Sequence, residues 1–175
     1  MALKIEKQLG LPDGWLSNNE DIPATAVMTM PAQNIMRYEL LDVSAAAGRG
    51  YYNDDFPETV QLIDLTEEWA RKHLGANYKS VKLITAKGDS MKPTIDSGDI
   101  LFVDTAAEEY NGEGIYIISA ADGVKVKRLQ SLISGGMLVI SDNQTLYRSE
   151  TISAEDWQSV QICGRVIYHL AAKEL

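Results

Sequence analysis

From residue 79 to residue 170 the sequence breaks into short runs, most of them introduced by a turn signal, and that rhythm constrains the fold more than any other feature. "KSVKLITA" alternates with period two. "GDILFVD" opens on a glycine turn, "GIYIISA" follows "NGEG", "GVKVKRLQSL" follows "AADG", "GGMLVISD" follows "SG", and "WQSVQICGRVIYHL" closes the set. Side chains of a strand point alternately to its two faces, so a period-two pattern marks a half-buried strand. Several such strands with turns at near-regular spacing predict a mostly β domain, a folded sheet or partly closed barrel.

Upstream the pattern is sparser. "RYELLDVS" (37–44) and "ETVQLIDL" (58–65) read as strands, separated by the small-residue break "AAAGRG" (45–50). "TEEWARKHLG" (66–75) reads as the one short helix. Asp64 or Thr66 can cap it, Glu67 and Glu68 suit its positive end, Arg71 and Lys72 suit the other, and Gly75 stops it. Residues 17–36 hold two prolines, many small residues and no clean period, which predicts a linker. Residues 1–16 begin as a short helix that Gly10 caps and Pro12 stops.

Composition narrows the function. The 175 residues are 45% hydrophobic and 23% charged, enough for a core, and the net charge is −9. Phosphate binding needs clustered Lys and Arg, so this acidic chain is not expected to grip nucleic acid itself. Cys163 is the one cysteine and lies in an apolar run, which predicts a buried structural thiol and rules out an internal disulfide. The two histidines, His73 and His169, lie far apart in sequence, and two His with one Cys are too few for a usual zinc site, so no metal or other cofactor is expected. No run of eighteen apolar residues suggests a membrane span, and the N-terminus lacks the apolar core of a secretion signal. A cytoplasmic, reducing compartment is the expectation.

The stretch "AKGDSMKPTIDSGD" (86–99) is too polar for core and too punctuated for a strand. It holds Ser90. A serine hydroxyl attacks only when a base takes its proton. Neither histidine has a catalytic context, so a Ser-His-Asp triad is unsupported. A deprotonated lysine on a strand with apolar neighbours is the other solution, because burial disfavours the ammonium. "GVKVKRLQ" offers Lys125 and Lys127, which share one parity, and spacing alone does not choose between them.

"GDSMKPTIDSGDILFVD" followed by "DGVKVKRLQ" resembles the serine–lysine peptidase domain of LexA-like repressors, a family that includes phage repressors and the UmuD mutagenesis proteins and is related to signal peptidase. The resemblance covers roughly 37–170. It implies the nucleophile Ser90 and the base Lys127, 37 residues on, leaving Lys125 a solvated strand lysine and Arg128 structural. It implies an oxyanion hole from the backbone N–H groups of Asp89 and Ser90. It also implies self-cleavage at an Ala-Gly bond, and "DVSAAAGRG" has Ala47-Gly48 at the expected place, in a segment 44–50 of small residues. Asp142 and Asn143 in "SDNQTLY" read as turn formers.

"LKIEKQLGLPDGWLS" resembles the exit of the helix-turn-helix domain of phage-type repressors. Residues 1–16 are accordingly read as the tail of such a domain, 17–36 as linker, and 37–175 as a peptidase and dimerisation domain. The resemblance implies a homodimer, operator DNA bound only through the helix-turn-helix domain, and induction by a RecA filament or an antirepressor. Two other readings stay open: a non-cleaving oligomerisation module, and a signal-peptidase-like protease acting in trans.

Overall fold

The computed structural model describes Lys7 and residues 34–41, 59–120 and 123–172. The chain divides into two units, 1–33 and 34–175, and all of the architecture below lies in the second. Its strands are β1 (Ile35–Leu41), β2 (Thr59–Thr66), β3 (Val81–Thr85), β4 (Ile100–Asp104), β5 (Gly114–Ala120), β6 (Gly123–Ser131), β7 (Met137–Ile140), β8 (Glu150–Ile152) and β9 (Gln161–Leu170). Helix α1 spans Glu67–Leu74, and the four-residue α2 spans Ala154–Trp157. The mostly β expectation holds. The strands form one sheet in the order β2-β1-β3-β4-β9-β5-β6-β7-β8.

Among the described residues β2 pairs only with β1 and β8 only with β7, so the sheet keeps two edges and does not close as a barrel. The three-residue β8 is too short to carry a second ladder, and short edges are a common way to end a sheet. The strand after the predicted linker begins at Ile35 rather than Arg37, because Ile35 and Met36 pair with Thr66 and Leu65 of β2. The expected single helix is joined by α2, which Ser153 caps by accepting from the Asp156 N–H. Its four residues are too few for a helical period to be read.

Helix α1 forms as its sequence directs. The Thr66 hydroxyl accepts from the Trp69 N–H at 3.2 Å, and Gly75 ends the helix at φ 75°. Trp69 then packs on the sheet. Its ring lies 5.9 Å from Phe102 of β4 and edge-on, 5.4 Å, to Tyr168 of β9. Phe102 is fully buried, at the centre of a cluster with Tyr38, Leu40, Leu74, Tyr78 and Leu83. His73 stacks on Trp69 at 4.6 Å, which places it in this aromatic layer.

A second core lies on the other side of β4. Leu101 and Val103 meet Ile84, Ala86, Met91, Ile95 and Ile117 there, and Cys163 packs at its margin. Met91 and Ile95 belong to the 86–99 loop, so this core anchors the loop that carries Ser90. The burial around Cys163 pushes its thiol pKa up, consistent with a structural residue.

Candidate active site

The loop between β3 and β4 is closed at its neck by the Ala86 N–H donating to the Asp99 carbonyl (2.8 Å) and the Gly98 N–H donating to the Ala86 carbonyl (2.9 Å). Asp99 is buried and spends both carboxylate oxygens on backbone: one accepts from Asp96 N–H, the other from Ala172 N–H, each at 3.0 Å. Met91 and Ile95 point into the second core and are joined by a 2.9 Å bond from the Ile95 N–H to the Met91 carbonyl. Gly88 sits at φ 84°, the left-handed region that glycine enters without a Cβ penalty. The Lys92–Pro93 bond is cis. Ser90, half-buried, rides on this pinned loop.

Lys127 comes from β6, where it pairs with Tyr116 of β5. Ser90, Asp89 and Lys127 line one cleft of about 890 Å³ with Ile84, Ala86, Met91, Val124, Val126, Ser141, Leu146 and Tyr147. The two members implied for the dyad thus line a common space, whose walls mix these apolar side chains with the charged Lys87, Lys125, Arg148 and Glu150. Neither histidine lines it: His73 lies in the aromatic layer and His169 is exposed near the end of β9. Lys125 corrects the reading of a solvated strand lysine. It is half-buried and lines the same cleft, as do its β6 neighbours Val124, Val126 and Lys127. Ala47 and Gly48 lie outside the described residues. Among the described residues no cluster of His, Cys, Asp and Glu is grouped to hold a metal ion.

Residues 141–147, within the segment that joins β7 to β8, tie the serine loop to the lysine strand. Lys127 Nζ donates to the Ser141 hydroxyl at 2.7 Å and lies 5.6 Å from the centre of the Tyr147 ring. Arg128 makes a two-pronged pair with Asp142, at 2.8 and 2.7 Å. The Arg128 hydrogen bonds hold the Asp142 carboxyl below its usual range, against the opposing effect of burial. Asn143 donates from Nδ2 to the Asp89 carbonyl (3.1 Å) and from its backbone N–H to the Ser90 carbonyl (3.0 Å). The Tyr147 hydroxyl donates to the Asp89 carboxylate at 2.6 Å, which raises the Tyr147 pKa.

Arg128 is structural, as expected. Asp142 and Asn143 are more than turn formers: one anchors the lysine strand, the other orients the serine loop. The signal that could have found Asp142 is register. Arg128 pairs with Ile140, so the antiparallel ladder carried one residue further brings Ser141 opposite Lys127 and puts Asp142 on the diagonal from Arg128.

Sheet and cleft together define a class: a mostly β domain with a buttressed serine loop and a strand lysine on one cleft. Residues 39–167 match the Peptidase S24-like family, and the chain belongs to it. It is similar to the 26 kDa repressor protein of Escherichia phage HK022, 38% identical over 162 residues that cover 91% of this chain and 68% of that protein. It is similar to the HTH-type transcriptional regulator PrtR of Pseudomonas aeruginosa, 36% identical across 91% of this chain and 70% of the regulator. Repressor protein CI of Enterobacteria phage phi80 is 25% identical over 94% of this chain and 64% of its own length. The chain therefore spans roughly two thirds of these relatives. No helix among the described residues is long and apolar enough to cross a membrane.

Proposed function

We propose that this chain is the self-cleaving and dimerising part of a phage-type transcriptional repressor, with a Ser90–Lys127 dyad that cuts the Ala47–Gly48 bond. The observation that carries this reading is the placement of Ser90 and Lys127 on one cleft. Repressor names among the relatives supply the biological context.

In this reading neutral Lys127 accepts the Ser90 Oγ proton while Oγ attacks the Ala47 carbonyl carbon. The Asp89 and Ser90 N–H groups stabilise the resulting oxyanion. Support comes from Asn143. A trans peptide points its C=O and N–H opposite ways, so holding the Asp89 carbonyl fixes the direction of the Ser90 N–H. Collapse breaks the Ala47–Gly48 bond, Lys127 gives its proton to the Gly48 nitrogen, and water then releases Ala47 from Ser90. Cleavage would separate residues 1–47, and with them any operator-binding domain, from the dimerising domain. Operator DNA is contacted through a helix-turn-helix domain of which 1–16 form the tail. A RecA filament or an antirepressor supplies the induction signal.

The test is incubation of purified protein across a pH range, followed by intact-mass measurement. Two fragments meeting at Ala47–Gly48, lost in both Ser90→Ala and Lys127→Ala, are expected. The rate should climb with pH as the lysine loses its proton. An uncut chain at every pH would sink the peptidase reading and leave an oligomerisation module.

A further inference from the structure

We infer that Ser141 is a positioning residue for the Lys127 amine: it fixes the direction of the base by taking one of its N–H bonds without adding charge. The inference rests on the proposed dyad.

Three observations carry it. Lys127 Nζ donates to Ser141 Oγ at 2.7 Å, and Ser141 is 4% exposed, so water does not compete freely for that hydroxyl. The backbone holds the pair in place, because Arg128↔Ile140 is the last ladder pair of β6 and β7 and Ser141 follows at once. The nearest carboxylate along the chain, Asp142, has both oxygens engaged by Arg128.

The chemistry follows from what a general base needs. An amine has one lone pair, and it must face the hydroxyl it deprotonates. A four-carbon side chain with free rotors aims that lone pair poorly. Committing one N–H to a fixed acceptor removes most of that rotation and leaves the lone pair among the remaining tetrahedral directions. A carboxylate in the same place would also aim the nitrogen, but it would favour the ammonium, which is useless as a base. A hydroxyl gives direction with little electrostatic bias. The titratable groups that share the cleft are Lys87 and Asp89 on the serine loop, Lys125 on β6, and Tyr147, Arg148 and Glu150 beyond Ser141. They are common to every variant below.

The experiment compares the self-cleavage pH profiles of the wild-type chain, Ser141→Ala, Ser141→Thr and Ser141→Asp. In parallel, the Lys127 side-chain carbon signal is titrated by NMR in a Ser90→Ala background, where the chain stays intact. Ser141→Ala should lower the high-pH plateau about tenfold, in line with lost positioning of a general base. It should also move the midpoint to lower pH, since a hydroxyl accepts more strongly from ammonium than from amine. Ser141→Thr keeps the hydroxyl and should restore most of the plateau. Ser141→Asp should push the Lys127 midpoint up by ~1 unit or more.

Equal plateaus and midpoints for wild type and Ser141→Ala would overturn the inference while leaving the dyad intact. Equal damage from Ala and Thr would overturn it too, because packing and not the hydroxyl would then matter. If the wild type never cleaves, the proposed function fails and the NMR arm decides. A Lys127 titration unmoved by Ala and Asp refutes the contact, and a displaced one upholds it.

Discussion

Asn143 meets both peptide groups that flank Ser90, one through its side chain and one through its backbone. Asn143→Ala keeps the backbone bond and loses the other, and the Asp89 carbonyl still accepts from the Lys92 N–H at 3.2 Å. We expect stability to fall by only about 1 kcal/mol. Cleavage should slow by roughly tenfold to a hundredfold, since a misdirected oxyanion donor costs more in rate than in folding. Thermal unfolding and fragment appearance, measured on the same sample, separate the two effects. Ser90 and Lys127 could be named as candidates from the sequence because their flanking motifs are local, with the family resemblance choosing Lys127 over Lys125. Ser141, Asn143 and Tyr147 could not, because each acts on a residue far away in the chain, and "SDNQTLY" alone is indistinguishable from a polar turn.

Helix α1 illustrates how local chemistry and packing share an element. Its cap was readable, and Thr66→Ala should cost ~1 kcal/mol in a urea titration. Glu67 was read only as an N-terminal acid. In the fold its carboxylate accepts from the Tyr78 hydroxyl, from Asn34 and from Arg71, and these bonds hold its pKa at about 2. A carboxyl whose folded pKa is depressed contributes stability above its unfolded value of 4.5, and loses that contribution as pH falls from there toward 2. The melting temperature should therefore drop across that window in the wild type, and Glu67→Gln should flatten the drop. Strand β9 carries a different constraint. Its ladder with β5 shifts register beside Gly164, and a Cβ there would sit 2.6 Å from Val103 Cγ1 and 2.9 Å from the Asp104 carbonyl oxygen. Gly164→Ala should destabilise by about 1–3 kcal/mol, the usual cost of overpacking, and a chemical denaturation midpoint would reveal it.

The sheet places the serine loop, built between β3 and β4, against β6, three strands beyond β4 in the sheet. Both arms of the proposed dyad thus belong to one described unit, and their encounter needs no second chain. If Ala47–Gly48 is presented by the same chain, cleavage is first-order. Its rate constant should then hold steady over a hundredfold dilution. A rate that falls with dilution would point to presentation by a second copy. Dimerisation, expected from the family resemblance and centred on the 160–170 region, is checked independently by sedimentation equilibrium of the Ser90→Ala chain.

Eight of the nine strands, their order along the chain, the capped helix and the candidate serine follow from local signals: period-two alternation, glycine punctuation, capping chemistry and short motifs; the three-residue β8 is too short to show a period. Each of these signals depends on neighbours within a few residues. The order of strands in the sheet, its open edges, and the partners Ser141, Asp142 and Asn143 depend on register between segments tens of residues apart. Register is set by which apolar faces share a core, and that becomes definite only when Met91, Ile95, Leu101 and Ile117 have packed together. The lysine could be found by reading the chain; what holds it could be found only across the ladder.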